Sequence, residues 1–235
     1  MPIDRYHAFG EGPTYIEPAK PYRIFSALVD RLVGKKWLSN RLAIWRQFRT
    51  RATLRGENRI GSRAWCVNDS GRLDAVILGE RTICRGLLRV EQFGRGQIEI
   101  GREVYIGDDC LISCSDNVRI GQGTLLAHGV QLLDNNSHPR HWRERAQHWK
   151  RILGDPIELG DLHQKIDHAP IHIGEFAWLG LNVIVMRGVT IGDRAIIAPG
   201  SVVTKSIPAE VVAAGNPARV ISELGPLATV AKDKL

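Results

Sequence analysis

Histidines, tryptophans and basic residues are concentrated in one irregular stretch of the chain. An imidazole titrates near neutral pH, so it can take a proton from a reacting group and return it. A neutral imidazole can also bind zinc, and arginine and lysine suit anionic ligands. The stretch 138–168 contains His138, His141, His148, His163 and His168, with Trp142, Trp149, Arg140, Arg143, Arg145, Lys150 and Arg151. It is therefore the first candidate for proton transfer and for binding a charged ligand.

The residues that follow this stretch repeat with a period of six. Aliphatic side chains recur at Ile173, Leu179, Val185, Ile191, Ile197 and Val203. Small or β-branched residues precede each of them by two positions, at Ile171, Ala177, Val183, Val189, Ala195 and Ser201. A period of six is neither helical nor a simple alternation. It predicts short strands and tight bends that stack as triangular coils about 4.8 Å apart, with both registers facing inward.

The same repeat precedes the irregular stretch. It is clear in two runs, at Ile100, Ile106 and Ile112 and at Ile120, Leu126 and Leu132, and it is ragged between 54 and 93. The step of eight from Ile112 to Ile120 predicts a bulge at one corner. Residues 134–170 interrupt the repeat and are predicted to be an inserted loop. Loops of this length in compact domains are usually functional.

The chain divides into three predicted segments: an N-terminal arm with basic amphipathic helices (1–56), a β-helix domain (57–208) and a C-terminal tail (209–235). Two helices are expected within 22–52, with a break near Gly34 or Ser39. Their apolar stripes are Ile24, Leu28 and Leu32, then Trp37, Leu38, Leu42 and Trp45. A basic amphipathic helix can lie on an anionic membrane or pack its stripe on its own domain, and we favour packing because runs of charge are usually solvated.

Composition limits the class of protein without choosing a function. The 235 residues carry a net charge of +7 with an isoelectric point near 9.5, which favours anionic partners such as nucleic acid, a membrane surface or a phosphorylated small molecule. The four cysteines lack paired metal-binding spacing, and Cys110 falls in the inward register of small residues. The first residues lack the apolar segment of a signal peptide, so a cytoplasmic location is expected.

Residues 98–222 resemble the hexapeptide-repeat acyltransferases. The resemblance rests on the hexads, on an interrupting loop with a histidine at its base, and on the segments WLG, GVTIG, APGSVVTKSIP and AAGNPARVI. The nearest subgroup is the acetyl-CoA-dependent sugar and antibiotic O-acetyltransferases. The resemblance implies an all-β, left-handed parallel β-helix that forms a homotrimer with active sites between neighbouring β-helices. It also implies acetyl-CoA as co-substrate and no metal.

The resemblance assigns the catalytic base to His138, at the mouth of the insertion. In the family, this histidine removes a proton from the acceptor, which attacks the thioester carbonyl directly without an acyl-enzyme. Asp134 is predicted to orient the imidazole. Two alternatives stay open, since a carboxylate here is also ordinary turn chemistry and the orienting residue could belong to a neighbouring subunit. His138 itself could be a loop-capping histidine without a catalytic role.

The resemblance also implies a cofactor groove. Its predicted residues are Trp178, Gly180, Ala198, Gly200, Ser201, Thr204, Lys205 and Arg219. Trp178 would wall the acyl end, Gly180 would allow close approach of the pantetheine, and Lys205 and Arg219 would meet the CoA phosphates. The alternatives are packing of Trp178 against the loop and solvated charges at Lys205 and Arg219. For Asn182 we prefer a turn with positive φ over a ligand contact.

The acceptor is predicted to meet Asn136, Arg140 and Trp142, although the aromatic residues could instead hold the loop on the β-helix. We therefore expect O-acetylation of a sugar hydroxyl in cell-surface polysaccharide or glycoconjugate biosynthesis, with no nucleic-acid partner and a possible peripheral membrane contact through the basic helices. One alternative is N-acetylation of a nucleotide-linked amino sugar. Two others are a metal-dependent enzyme of the carbonic-anhydrase type on the same β-helix and a non-catalytic trimeric scaffold.

Overall fold

The computed structural model describes residues 36–68, 70–91, 95–155 and 166–225. These residues form two α-helices, α1 (Lys36–Arg51) and α2 (Trp142–Ile152), a short 3-10 helix (Leu73–Ala75) and twenty strands. Among the described residues, neither α-helix is long and apolar enough to cross a bilayer. The strands are β1 (Thr53–Leu54), β2 (Arg59–Ile60), β3 (Trp65–Asn68), β4 (Val76–Leu78), β5 (Ile83–Cys84), β6 (Leu87–Val90), β7 (Gln97–Ile100), β8 (Tyr105–Ile106), β9 (Leu111–Cys114), β10 (Asn117–Ile120), β11 (Leu125–Leu126), β12 (Gln131–Leu133), β13 (Ile171–Ile173), β14 (Trp178–Leu179), β15 (Ile184–Met186), β16 (Thr190–Ile191), β17 (Ile196–Ile197), β18 (Val202–Val203), β19 (Val211–Gly215) and β20 (Ala218–Glu223).

Three parallel sheets run along the β-helix, and each coil adds one strand to each sheet. The first sheet has the order β1-β4-β7-β10-β13-β16, and the third contains β3-β6-β9-β12-β15-β18. The second has the order β2-β5-β8-β11-β14-β17-β19-β20. Strands β1 to β18 thus form six coils of three strands each. The predicted fold, an all-β left-handed parallel β-helix of hexapeptide repeats with a helical extension and an inserted loop, is confirmed.

Both predicted registers fill the core of the β-helix. The aliphatic residues from Ile173 to Val203 are at most 3% exposed, and the preceding small residues from Ile171 to Ser201 are at most 1% exposed. Cys110 is buried with them, as the sequence predicts. Each fully buried aliphatic side chain stabilises the fold by roughly 1.5–3 kcal/mol relative to an exposed one. A period of six is therefore enough to specify the interior.

Residues that lengthen the repeat leave the β-helix at one corner, between the third and first sheets. This corner carries the segments from β3 to β4 and from β6 to β7, the turn at 115–116 and the insertion between β12 and β13. The bulge predicted between Ile112 and Ile120 is the turn at 115–116. The second coil is shortened at another corner, because the fully buried Cys84 and Leu88 are only four residues apart. These changes in corner length explain why the repeat is ragged before residue 93.

Helix α1 packs on the first coil, as favoured above. Ile44 and Phe48 are buried in the core, and the backbone N–H of Cys66 donates to Gln47 Oε1 at 3.3 Å. Of the predicted stripe, Trp45 is half-buried and Leu42 is exposed. The side chains of Trp37 and Leu38 lie outside the described part of the chain. Ser39 lies inside α1 and does not break it. The first predicted helix lies outside the described residues.

Strands extend beyond both predicted limits of the β-helix domain. At the start, β1 begins at Thr53, before residue 57. At the end, the segment predicted as a tail begins with a hairpin in which β19 pairs in parallel with β17 and β20 pairs in antiparallel with β19. The hairpin turns at the cis peptide Asn216-Pro217. Its residues no longer follow the period of six, which is why the repeat did not reveal it.

Candidate active site

The two ends of the insertion are joined by a short antiparallel stem at the foot of the loop. The backbone N–H of Asn136 donates to Asp167 O at 3.0 Å, and that of Ala169 donates to Asp134 O at 2.9 Å. Asn135 and His168 form a β-bridge between these two hydrogen bonds. The stem places residue 138 just outside the corner between the third and first sheets. The insertion thus leaves the β-helix at a defined point.

A tight turn fixes the backbone of His138 above this stem. Asn135 Oδ1 accepts from the backbone N–H of Ser137 at 2.8 Å, and the backbone N–H of His138 donates to Asn136 O at 2.6 Å. Ser137 adopts φ of 58°, in the left-handed region. A short asparagine side chain that bonds the backbone two residues on is typical turn chemistry. The turn exposes the His138 ring while its backbone is held.

The His138 ring contacts a second histidine, His148 of α2. Their Nδ1 atoms lie 3.2 Å apart, with ring centroids separated by 4.9 Å and ring planes inclined at 56°. One Nδ1 must carry the proton and the other must accept it. Burial, the nearby His138 and Arg151 together lower the pKa of His148 from its ordinary value, with burial as the largest cause. The structure therefore gives His138 a ring partner that the sequence did not single out.

Asp134 does not orient His138 within this chain. It is fully buried, and its Oδ1 and Oδ2 accept the backbone N–H groups of Ser115 and Asp116, each at 2.8 Å. Asn135 Nδ2 also donates to Asp134 Oδ1 at 3.0 Å. The carboxylate thus closes the turn of the coil below, at the corner from which the insertion leaves. This favours the turn-chemistry alternative for Asp134.

Asn136, predicted to bind the acceptor, is held in a polar network at the stem. Its Nδ2 donates to Asp167 Oδ2 at 3.2 Å, and its Oδ1 accepts from Arg187 Nε at 3.0 Å. Arg187 Nη2 and Arg140 Nη1 lie 3.5 and 3.7 Å from the same Asp167 oxygen. Sequence reasoning missed Arg187, which comes from the coil above. The network leaves Arg140, whose side chain is largely exposed, as the cation nearest the solvent.

Helix α2 presents its aromatic side chains to solvent rather than to the β-helix. Trp142, Trp149 and Leu153 are 62%, 55% and 63% exposed, and Ala146 lies between them on the same stripe. The opposite side carries the half-buried Glu144, His148, Arg151 and Ile152. The tryptophans therefore do not hold the insertion on their own β-helix, which was one alternative for them. They are free to meet a ligand or another chain.

Two of the predicted cofactor residues, Gly180 and Ala198, are stacked in adjacent coils at the corner between the second and third sheets. A Cβ at Gly180 would lie 2.7 Å from the backbone nitrogen of Pro199, so the coil above already requires glycine there. The backbone N–H of Ala198 donates to Ala213 O at 2.8 Å. Asn182 has φ of 56°, as its predicted turn requires. Trp178, on the outer face of β14, is 49% exposed.

The remaining predicted cofactor residues divide between structural and exposed positions. Ser201 is 1% exposed, and its Oγ accepts the backbone N–H of Gly215 at 3.1 Å. The backbone N–H of Gly200 donates to Leu181 O at 2.8 Å. Thr204, Lys205 and Arg219 are exposed. Ser201 thus anchors the C-terminal hairpin, whereas the exposed side chains remain available to a ligand.

The predicted site residues do not form one cleft within a single chain. His138 leaves from the corner between the third and first sheets, and Thr204 and Lys205 follow β18 at that corner, two coils further on. Trp178 lies on the second sheet, and Gly180 and Ala198 lie at its corner with the third. A cavity of about 970 Å³ lies elsewhere, between α1 and the first coils, and is lined by Trp45, Arg49, Ala52, Leu54, Gly56, Glu57, Asn58, Arg59, Arg81 and Ile83.

Cysteine side chains are poorly suited to be nucleophiles here. Cys84 and Cys110 are buried, and desolvation raises the pKa of Cys84 to about 12 and that of Cys110 to about 11. Both are therefore protonated at neutral pH, and the thiolate is the reactive form.

His128 and His168 lie apart from each other and from the pair formed by His138 and His148. His128 Nδ1 accepts the backbone N–H of Asp108 at 2.9 Å, and His168 Nδ1 lies 3.2 Å from Asp116 Oδ2 at a different corner. Among the described residues, no group of three or more His, Cys, Asp or Glu side chains is placed to hold a metal ion. His163, another histidine of the stretch 138–168, lies outside the described part of the chain.

Residues 170–205 match the family model described as bacterial transferase hexapeptide (six repeats). These residues cover the fifth and sixth coils, from β13 to β18. The predicted resemblance to the hexapeptide-repeat transferases is confirmed over these repeats.

Two curated relatives and one solved structure illustrate the similarity. The galactoside O-acetyltransferase of Escherichia coli is 39% identical over 127 residues, which cover 54% of each chain. The putative lipopolysaccharide biosynthesis O-acetyl transferase WbbJ of the same organism is 32% identical over 139 residues, 58% of this chain and 65% of the relative. The chain thus spans between about half and two thirds of the length of these relatives. A mutant of AntD, an N-acyltransferase from Bacillus cereus, bound to dTDP-4-amino-4,6-dideoxyglucose and coenzyme A, shares the fold with a TM-score of 0.56 at 14% identity, covering 76% of this chain and 87% of that one.

Proposed function

Because residues 170–205 match the hexapeptide transferase model and the chain is similar to O-acetyltransferases, we propose that it is an acetyl-CoA-dependent O-acetyltransferase acting on a sugar hydroxyl. The observation that carries the proposal is the placement of His138. Its backbone is held by a tight turn at the foot of the insertion, and its ring is exposed. The similarity to acetyltransferases that act on a galactoside or in lipopolysaccharide biosynthesis supports a sugar acceptor in cell-surface polysaccharide or glycoconjugate synthesis. We place the enzyme in the cytoplasm.

In the proposed reaction, His138 acts as general base. The imidazole takes the proton of the acceptor hydroxyl while the oxygen attacks the thioester carbonyl of acetyl-CoA. A carbon–oxygen bond forms, the carbon–sulfur bond breaks, and the departing thiolate takes the proton from the imidazolium. The products are the acetyl ester and CoA with a free thiol. No acyl-enzyme is needed, which agrees with the protonated state of the buried thiols of Cys84 and Cys110.

The dispersed site residues support a homotrimeric enzyme with sites between subunits. The second sheet carries an outward apolar ladder of Ile83, Tyr105, Leu125, Trp178, Ile196 and Val212. The outward ladder of the first sheet is more polar and includes Glu99, Arg119, His172 and Thr190. Exposed apolar surface of this kind marks interaction sites. We propose that a neighbouring subunit covers it and completes the groove between His138 and Trp178.

Acetyl-CoA would bind along this groove. Trp178 would contact the acyl end, and Thr204, Lys205 and Arg219 would meet the phosphates, since all four are exposed. Gly180, Ala198, Gly200 and Ser201 would shape the wall, because their backbone or side-chain groups are already committed to neighbouring coils. For the acceptor, Trp142 offers an exposed aromatic face and Arg140 an exposed cation, with Asn136 holding the stem between them.

The proposal is tested by measuring thiol release from acetyl-CoA against a panel of sugars and nucleotide sugars, with matched hydroxyl and amino acceptors. His138→Ala is compared with wild type and with His172→Ala, a control on the outer face of the first sheet. Loss of a general base should lower the rate about a hundredfold or more, with CoA binding retained. A preference for amino acceptors would favour N-acetylation instead. Failure of CoA to bind would overturn the proposal in favour of a scaffold or a metal enzyme, and an unchanged rate in His138→Ala would overturn the assignment of His138 as the base.

A further inference from the structure

His138 and His148 come from different elements of the insertion and meet through the same ring atom. His138 follows the stem turn, and His148 lies in the second half of α2, on the side that carries Glu144, Arg151 and Ile152. The 3.2 Å between their Nδ1 atoms is hydrogen-bond distance, so the two rings share one proton. In the described residues, Nδ1 makes the hydrogen-bond contact of the His138 ring, which leaves Nε2 to face a ligand.

We propose that His148 is a positioning residue whose Nδ1 accepts the Nδ1 proton of His138 and so keeps the lone pair of His138 on Nε2. The inference rests on the proposed function, because it concerns the base of that reaction. A neutral imidazole has one donor and one acceptor nitrogen. The hydrogen bond made by one nitrogen therefore decides which proton state the other presents to the substrate. With Nδ1 protonated, Nε2 is the basic atom.

The reverse arrangement would leave His138 unable to act as base through Nε2. If His148 Nδ1 carried the shared proton, His138 Nδ1 would be the acceptor and Nε2 would hold the hydrogen. The neutral state of His148 supports the productive arrangement, since an acceptor nitrogen must be unprotonated. Burial on the inner side of α2, together with the charges of His138 and Arg151, lowers the pKa of His148 and disfavours its imidazolium. Glu144 is the acidic residue on that side.

The hydrogen bond between the two histidines would also stabilise His138 when its ring is positively charged. When His138 Nε2 takes the acceptor proton, the ring becomes an imidazolium, and its Nδ1–H then donates a charge-assisted hydrogen bond to neutral His148. The proton on Nδ1 stays in place while Nε2 passes its proton to the departing thiolate. His148 therefore gains and loses no proton during the cycle. It plays for His138 the part that the sequence had assigned to Asp134, whose oxygens are occupied elsewhere.

The test compares two substitutions of His148, one without and one with a hydrogen-bond acceptor in the side chain. In His148→Phe the ring is kept but the acceptor is removed, and in His148→Gln an amide oxygen can accept the Nδ1 proton. Nitrogen-15 spectra of the imidazoles at pH 8 report the tautomer of His138, with the resonance assigned by its loss in His138→Ala. Steady-state assays of thiol release give kcat and the KM for acetyl-CoA. His172→Phe is the control for an aromatic substitution of a half-buried histidine outside the insertion.

We expect wild type and His148→Gln to hold His138 with the proton on Nδ1, and His148→Phe to shift it toward the Nε2–H form. The kcat of His148→Phe should fall roughly tenfold to a hundredfold, the range seen when the hydrogen-bond partner of a metal-binding histidine is removed. Its KM for acetyl-CoA should stay near that of wild type, and His148→Gln should recover most of the loss.

Two results would overturn the inference while leaving the proposed function intact: wild-type His138 with its proton on Nε2, or an unchanged tautomer and kcat in His148→Phe when His138→Ala is inactive. Equal losses in His148→Phe and His148→Gln would likewise show that His148 acts through packing alone. If His138→Ala is as active as wild type, the proposed function fails instead. The tautomer measurement does not depend on activity, so the two failures are distinguishable.

Discussion

The Asp134 carboxylate accepts the backbone N–H of Asp116 at 2.8 Å, one coil below it in the β-helix. Its other oxygen accepts from Ser115, so the side chain supplies both acceptors that the turn at 115–116 needs. Asp134 and the turn are stacked because β12 pairs with β9, which places Leu133 over Ser113. A buried carboxylate at this corner therefore stabilises the point from which the insertion departs.

Asp134→Ala should lower the free energy of unfolding by about 2–4 kcal/mol, because it removes the fully buried carboxylate that accepts the part-buried N–H groups of Ser115 and Asp116. Urea unfolding followed by circular dichroism measures the change. The folded variant should keep a kcat near that of wild type, since the carboxylate does not touch His138. A kcat reduced a hundredfold with unchanged stability would restore Asp134 as the orienting residue.

Ser201→Ala should destabilise the protein by about 1 kcal/mol, because the buried Ser201 Oγ no longer accepts the backbone N–H of Gly215 in a part-buried hydrogen bond. Ser206→Ala is the matched control: Ser206 Oγ accepts the backbone N–H of Thr190 at 3.0 Å, but Ser206 is exposed, so water can replace it. Differential scanning calorimetry of the two variants should show the larger drop in Tm for Ser201→Ala. Equal and small drops, together with a raised KM for acetyl-CoA in Ser201→Ala alone, would instead make Ser201 a cofactor ligand.

Which residues face the core could be predicted from the sequence, but the hydrogen-bond partners of Asp134 and Ser201 could not. The period of six fixes which residues face inward, since Leu179 and Ala177 must be buried wherever their coil lies. The period does not predict the hydrogen-bond partner of a polar side chain at a corner. Asp134 stacks over Ser115 only because of the number of residues at each intervening corner, and the repeat does not give that number. Gly180 is similarly ambiguous, since stacking on Pro199 and approach of a ligand both demand glycine. The interruption of the repeat placed His138 at the mouth of the insertion. Its contact with His148 could not be predicted, because His148 lies in α2, a segment predicted to be loop.

The spacing of apolar residues in the sequence did indicate helix α2. Trp142, Ala146, Trp149 and Leu153 recur at intervals of three and four residues, which is helical spacing. The basic residues between them suggested an irregular binding loop. The apolar stripe faces solvent rather than the core, so the helix is not part of the hydrophobic core that the repeat predicts. Only the fold places His148 on the opposite side of this helix.

Acid should destabilise wild type more than His148→Gln. The native pKa of His148 is lowered, so as pH falls through its ordinary value near 6.5 the unfolded chain binds a proton that the native chain resists. Stability is then lost as pH falls, down to the native pKa. The unfolding free energy should therefore fall more for wild type than for His148→Gln between pH 7.5 and pH 5.5. A measurement at pH 8 isolates the packing change, and an equal acid loss in both proteins would contradict the lowered pKa.

The cysteines should be unreactive in the native protein at neutral pH. All four are buried, and the raised pKa of Cys110, about 11, keeps its thiol protonated until strongly alkaline conditions. Reaction with dithionitrobenzoate at pH 7.5 should be slow for the folded chain and rapid in urea. Cys110→Ala should retain kcat, because direct transfer uses no thiol nucleophile. Fast native labelling that abolishes activity would reopen a covalent mechanism.

Leu125→Lys should dissociate the assembly that we propose, whereas His172→Lys should not. Leu125 and Trp178 are neighbours in the outward ladder of the second sheet and are 47% and 49% exposed in the isolated chain. His172 lies in the fifth coil with Trp178, on the more polar first sheet. Introducing a lysine into an apolar interface leaves an unpaired buried charge, which is strongly unfavourable. The native protein should elute with light scattering close to three times 26.2 kDa, and Leu125→Lys close to 26.2 kDa. Activity should fall with the mass, because His138 and Trp178 lie on different sides of one chain and need a neighbour to meet. A wild-type monomer that is fully active would contradict both the trimer and the site between subunits.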